Sequence, residues 1–448
     1  MRKHFIFFQF CAASLLLAAF SAQAVDKKAP VKLEDPEILA KGFKIQYFAL
    51  PPDVDYPSCM AVSPSGVVFA GCDPYNVRAN KSKTGKIKMY VDTTGHGKAD
   101  RVTTFADNTN GPRGMCYVDG TLYVVACPTL IAYKDDGSGK AASEDVLISG
   151  YGFDPEKLAP DHSEAGVRMA IDGWLYLAVG DQGFLKAVGK DKTELQLHGG
   201  GICRIRPDGT EFELFCRGNR NTYDIAIDPL LNGYTRDNTN DGRKWNTRFA
   251  HMVQGAEYGY PSLFINYPDE NLPCLADWGD GGATGALFIH EPYMPEGFGN
   301  TLLTCDWARG RIYGHTLEAA GSTFTVKQEA FYKGTRPTDL DIDGRGRLFI
   351  SDWRGAVYGK ERDPNKPVGY IAVAFNEKGI NPAEFPDLHK ASDNVLLGDV
   401  ISESAVLSLN AQQELLKRPF KQEIADELLK VLDGKAPLYA RVAALVTY

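Results

Sequence analysis

A unit that recurs six times constrains this chain more than any other feature: an apolar strand, a tight turn rich in Asp, Gly or Pro, and a second strand bearing a large side chain. The copies run from Met60 to Phe69, Met115 to Tyr123, Arg168 to Tyr176, Ile225 to Tyr234, Gly299 to Leu303 and Leu340 to Phe349. Anchored on Phe69, Tyr123, Tyr176, Tyr234, Leu303 and Phe349, successive copies lie 46 to 69 residues apart. Between anchors the apolar pattern alternates with period two, as in Gly201 to Arg206, the turn Pro207-Asp208-Gly209-Thr210, and Glu211 to Phe215. Four strands in roughly 50 residues, repeated six times, predict an all-β six-bladed propeller over residues 43–375. Radial closure removes most free sheet edges, and Lys44 to Phe48 is expected to close the ring by pairing into the last blade.

The flanks read differently. Residues 376–400, rich in Asn, Pro and Glu at their start, read as a linker, and 401–448 as a short α-helical, HEAT-like segment. Apolar residues recur there every three or four positions over Ala411 to Arg418, Lys421 to Leu432 and Leu438 to Tyr448. The last run reaches the final residue, as expected of a truncated helical repeat or of a helix packed back on the propeller. At the other end, Arg2, Lys3 and His4 precede an apolar run from Phe5 to Phe20 and then Ser21-Ala22-Gln23-Ala24, the pattern of a signal peptide over residues 1–24. Residues 25–42 read as an N-terminal linker. Export to the periplasm or the medium is therefore expected, with no transmembrane segment after the leader is removed.

Loss of the leader would take the formal charge from −8 to −10 and leave eight of the nine cysteines. That acidity, without any Lys/Arg run, excludes a nucleic-acid-binding surface. The cysteines fall in close couples, Cys59 with Cys72, Cys116 with Cys127, Cys203 with Cys216 and Cys274 with Cys305. In an oxidising compartment disulfides are plausible, and buried free thiols on strands are the alternative. There is no C-x-x-C-H haem motif and no zinc-ligand spacing.

Three constellations could carry chemistry. His162 and Asp181 lie at the two ends of a hairpin, which brings them to one rim; a carboxylate on one imidazole nitrogen fixes the tautomer and leaves the other as a base. The run Arg217 to Asp224 offers Arg220 as a planar fork of donors and Asn221 as an amide beside it. Oxygen-bearing Asp237, Asn238, Asn240 and Asp241 before Gly242 suggest a Ca²⁺ loop, with an Asx-rich turn as the alternative. Two weaker loops, Asp92 to Asp100 and Lys134 to Ala142, lack enough oxygen ligands to be assigned a metal.

The segments His162 to Gly183, Arg217 to Asp228 and Glu257-Tyr258-Gly259-Tyr260-Pro261 resemble those of soluble quinoprotein glucose dehydrogenases and glucose/sorbosone dehydrogenase-like propellers. The resemblance extends to large exported planctomycete-type proteins named as membrane-bound dehydrogenases, which add HEAT-like repeats and a cytochrome c domain. It implies pyrroloquinoline quinone (PQQ) over the channel beside Ca²⁺, His162 as base, Asp181 as its partner, and Arg220, Asn221 and Gln182 as cofactor contacts. The implied substrate is a small carbohydrate or alcohol. Without a haem motif in the chain, electrons would pass to a separate cytochrome c. Glu164-Ala165 is a departure that adds residues after His162. A non-catalytic carbohydrate- or protein-binding propeller and a metal-dependent lactonase or other hydrolase remain alternatives on the residues alone.

Overall fold

The computed structural model describes residues 35–73, 81–240, 245–263, 266–356, 363 and 366–448. Six antiparallel sheets form six blades. Blade 1 holds Pro57–Val62, Val68–Cys72, Gly85–Val91 and Arg101–Thr109, and blade 2 holds Gly114–Val118, Thr121–Ala126, Thr129–Asp135 and Ala141–Ser149. Blade 3 comprises Glu164–Met169, Leu175–Val179, Gly200–Ile205 and Glu213–Asn219. In blade 4 the inner strand is two short pieces, Asn221–Thr222 and Ala226–Ile227, followed by Gly233–Asn240, Trp245–Met252 and Ala276–Asp280. Blade 5 is Ala283–His290, Asn300–Asp306, Arg311–Ala320 and Thr323–Lys333. Blade 6 has Pro337–Ile342, Leu348–Asp352 and Tyr370–Asn376, with Phe43–Ala49 as its outer strand.

The ring closes as the sequence predicts, with Lys44 opposite Phe375 and Tyr47 opposite Ala372. The N-terminal strand thus ties the last blade to the start of the chain, so opening the ring requires breaking a full strand pair. All six repeat anchors sit on the second strand of their blades. Each also lies in the apolar cluster against the following blade: Phe69 between blades 1 and 2, Tyr123 between 2 and 3, Tyr176 between 3 and 4, Tyr234 between 4 and 5, Leu303 between 5 and 6, Phe349 between 6 and 1. Because both faces of a blade meet a neighbour, strands such as Pro57–Val62 are buried along their whole length. The hairpin turns follow the same logic: Asp119 and Gly120, with φ of 49° and 72°, form the two-residue reversal between Val118 and Thr121.

Inner strands of adjacent blades splay apart, and carboxylates bridge the gap. Asp339 accepts from Met60 N and Asp341 from Val62 N, each at 2.8 Å, while Asp224 accepts from Ala286 N at 3.0 Å. Arg168 joins these three across the channel, with Nη2 at 2.9 Å from Asp224 and 3.2 Å from Asp339, and Nη1 at 3.4 Å from Asp341. A guanidinium among three carboxylates, two of them buried, closes the channel partway along its length.

Four helices follow, α1 Asp393–Val400, α2 Ala405–Leu416, α3 Gln422–Asp433 and α4 Leu438–Thr447. The linker expected over 376–400 is corrected at its end: Ser392 Oγ accepts from Val395 N and starts α1 there. Likewise α2 begins at Ala405, six residues before the periodicity that marked it, because Ser404 caps Leu407 N. Helix α2 lies across the face where inner strands end. Val406 N donates to Glu291 at 2.9 Å, Asp119 N to Asn410 Oδ1 at 2.9 Å, and Gln412 Nε2 to Ile171 O at 2.6 Å. A chamber of about 150 Å³ remains between α2 and the inner strands. No helix among the described residues is long and apolar enough to cross a membrane.

The eight cysteines from Cys59 to Cys305 are all free thiols, seven of them buried. Disulfides between the close couples fail for a reason of sheet geometry. Cys203 and Cys216 lie on neighbouring strands but face opposite sides of blade 3, one packed against blade 2 and the other against blade 4.

Candidate functional site

With α2 across one face, the open mouth is the face where inner strands begin. His162 precedes the inner strand of blade 3, and Asp181 follows its second strand. The two segments are stitched together by Gly180 N donating to Ser163 O at 3.1 Å and Gln182 N to His162 O at 3.1 Å. Gly180 is required here, since a Cβ would stand 2.3 Å from the His162 carbonyl oxygen. From Phe184 the chain leaves blade 3 as a hairpin, Phe184–Gly189 and Glu194–Leu197, that extends the outer edge of blade 2. The turn carrying Asp181 is thereby anchored to two blades.

His162 Nδ1 and Asp181 Oδ1 stand 2.5 Å apart, with both side chains less than one-fifth exposed. A carboxylate only accepts, so Nδ1 carries a proton; in the neutral imidazole the lone pair is then on Nε2. The other oxygen, Asp181 Oδ2, accepts from Tyr260 Oη at 3.2 Å and faces Arg220 Nε at 3.8 Å. Burial alone would push the Asp181 carboxyl up; His162, Arg220 and Tyr260 outweigh it and hold the group below the ordinary carboxylate range. The ladder bulges between Glu164 and Val167, where the added residues lie, and the His162–Asp181 pair forms with them in place.

Arg220 reaches this cluster from the head of blade 4, and Asn221 follows it. Their backbone amides are held by Asp237, which accepts from Arg220 N at 3.1 Å and from Asn221 N at 2.8 Å, while Oδ2 also takes Arg248 Nη2 at 2.9 Å. That arrangement corrects the metal assignment of Asp237. The same device recurs where Asp306 accepts from Gly282 N and Asp352 from Thr335 N and Arg336 N, each at 3.0 Å. Asp237, Asn238 and Asn240 lie on a strand rather than a loop, and Asp237 and Asn238, being consecutive, point to opposite faces and do not converge on one cation. Asp241 lies outside the described residues. Gln182 is likewise partly committed, its Nε2 donating to Ala159 O at 2.9 Å and so bracing the loop that carries His162. Among the described residues one grouping of metal-ligand types occurs, Asp119, His389 and Glu414, on the helical face away from this mouth. There Lys417 already pairs with Asp119 and Arg418 with Glu414.

Several mouth residues escaped the sequence reading. Tyr260 lay in a recognised segment but had no role until its hydroxyl was seen on Asp181. Arg113, Arg220 and Arg336 each immediately precede the inner strand of an alternate blade, numbers 2, 4 and 6, a regularity that superposing the repeats would reveal. Arg113 is 2% exposed and pairs with Asp73 at 3.3 Å. Burial works against its charge, and Asp73, Tyr223 and Asp161 outweigh that cost.

Comparison with known proteins agrees with this architecture. A Thermus thermophilus protein described as an oxidoreductase (glucose dehydrogenase) superposes with a TM-score of 0.55 at 16% identity, over 75% of this chain and 100% of that one. The PQQ-bound aldose sugar dehydrogenase of Streptomyces coelicolor gives 0.54 at 16% identity, over 77% and 99%. The PQQ domain of a Coprinopsis cinerea pyranose dehydrogenase in its holo form gives 0.50 at 12% identity, over 78% and 99%. At such identities these likenesses establish a shared fold. No curated protein matches the sequence. Residues 37–272, just over half of the chain and reaching from the ring-closing strand to the third strand of blade 4, match the family described as a domain of unknown function, DUF7133, and the chain belongs to that family.

Proposed function

We propose that this protein is an exported, PQQ-type dehydrogenase that oxidises a sugar or related alcohol at the open mouth of the propeller. The observation that carries the reading is the 2.5 Å pair between His162 and Asp181, set at the rim beside Arg220. Had the two lain on opposite sides of a blade, a binding role would be the better reading.

The mouth suits a planar, multiply anionic cofactor: three arginines head alternate inner strands, and Arg220 and Asn221 stand next to the dyad. Bound there, PQQ would supply the two-electron acceptor chemistry. The chain's own part is positional and acid–base. Asp181 holds the imidazole in the Nδ1–H tautomer, so that Nε2 accepts the proton of a substrate hydroxyl as the carbon is oxidised. Tyr260 and Arg220 keep Asp181 ionised and oriented, which fixes the direction of the Nε2 lone pair. Asp237 and Asn238 do not suit Ca²⁺ together, and no step is routed through the ion. A leader over residues 1–24 and a separate cytochrome c as electron acceptor complete the reading.

The test is reconstitution. Purified apoprotein is given PQQ, with and without Ca²⁺, and dye reduction is followed with a panel of aldoses and simple alcohols. Quinone-dependent turnover is expected; absence of any quinone binding at micromolar concentration overturns the proposal.

A further inference from the structure

The mouth has a floor, and one side chain makes it. Tyr223 lies in the gap between the two inner-strand pieces of blade 4, yet its hydroxyl donates to Ser58 O of blade 1 at 2.8 Å. Blades 4 and 1 stand opposite in a ring of six, so the phenol spans the channel. Its position is fixed at both ends. Gly166 N of blade 3 donates to Tyr223 O at 2.6 Å, and Ser58 Oγ donates in turn to Pro112 O at 2.6 Å. The residue remains partly exposed. Gly166, its partner on blade 3, lies nearer the start of that inner strand than Arg168 does, and Tyr223 does not line the chamber under α2. Arg113 stands nearby.

We propose that Tyr223 is a ligand-binding residue, the aromatic floor against which a planar cofactor packs. The inference rests on the quinone reading above and adds to it a residue whose side chain spans the channel. A hydroxyl tied to a backbone carbonyl cannot turn away, so the face is pre-organised and loses little freedom when a flat ring covers it. Aromatic stacking then adds to the area buried.

The test is calorimetric titration of apoprotein with PQQ, which needs no turnover. Tyr223→Phe keeps the face and should bind within about twofold of the unmodified protein, while Tyr223→Ala should bind about tenfold more weakly. Tyr223→Leu refills most of the volume without an aromatic face and should match Tyr223→Ala; it carries the test if the alanine variant does not fold, judged by its thermal transition. Equal affinity in the unmodified protein and the Ala or Leu variant overturns the floor and leaves the dehydrogenase reading standing. An unmodified protein that binds no quinone overturns both.

Discussion

Replacing Glu164 by Gln should change how stability depends on pH, and by an amount that follows from burial. Glu164 heads the inner strand of blade 3, two residues from His162, and is 0% exposed. Among the described residues neither carboxylate oxygen has a hydrogen-bond partner that satisfies it. Gly152 packs against it so closely that a Cβ there would meet Glu164 Oε2 at 2.0 Å. Burial pushes the carboxyl from 4.5 up to about 7, the proximity of its own backbone N–H and of the Cys127 thiol offsetting only part. The fold therefore favours the neutral acid. Its contribution is fully present below the unfolded value of 4.5 and is lost as pH rises through about 7, a change of about 3 kcal/mol. Glutamine has nearly the same shape and does not ionise. Urea unfolding of both proteins at pH 4.5 and pH 8 should show the Glu164→Gln variant gaining about 3 kcal/mol relative to wild type between the two conditions. Glu291 and Asp352, pushed up to about 8 and about 6, titrate in the same window in both proteins and cancel in the difference. A difference that is the same at both pH values refutes the reasoning, since Glu164 would then not be ionising in the folded state.

Other outcomes follow from single contacts. His162→Ala should lower kcat of the reconstituted protein by about 10²- to 10⁴-fold with intact quinone binding, and Asp181→Asn should act in the same direction through the wrong tautomer; steady-state dye reduction and quinone titration separate the two effects. Asp237→Ala removes the partner of Arg248, whose side chain is 6% exposed, and should destabilise by about 3–5 kcal/mol, read as a fall in thermal midpoint that added Ca²⁺ does not restore. Alkylation in denaturant without reductant should label all eight cysteines from Cys59 to Cys305, while the native protein reacts slowly or not at all; protected pairs in the denatured chain would contradict the free thiols.

The architecture was legible because propeller blades share one rule: every blade face is buried against a neighbour, so each repeat must place a large apolar residue at the same point. Phe69 and Phe349 mark that point at opposite ends of the chain, and closure by Phe43–Ala49 follows from the need to cover a free edge. His162 and Asp181 were legible for a related reason, since a hairpin of known length returns its ends to one rim. The metal assignment of Asp237 and Asn238 did not hold because side-chain chemistry alone does not distinguish a loop from a strand; register opposite Trp245–Met252 does. Tyr260 and Tyr223 were hidden because their partners, Asp181 and Ser58, lie 79 and 165 residues away in sequence. The start of α1 was masked by the Asn/Pro composition just before it, although Ser392 carried a capping signal.

The most direct test of the central claim is single-turnover reduction. Apoprotein is loaded with one equivalent of oxidised PQQ, an aldose is added anaerobically, and the quinone absorbance is followed with no dye present. Rapid loss of the oxidised spectrum in wild type, and its persistence in His162→Ala that has bound the same quinone, is the predicted result. A spectrum unchanged by every aldose and alcohol tried, or equal loss in the two proteins, would contradict the assignment of His162 and Asp181 as the working pair of a dehydrogenase.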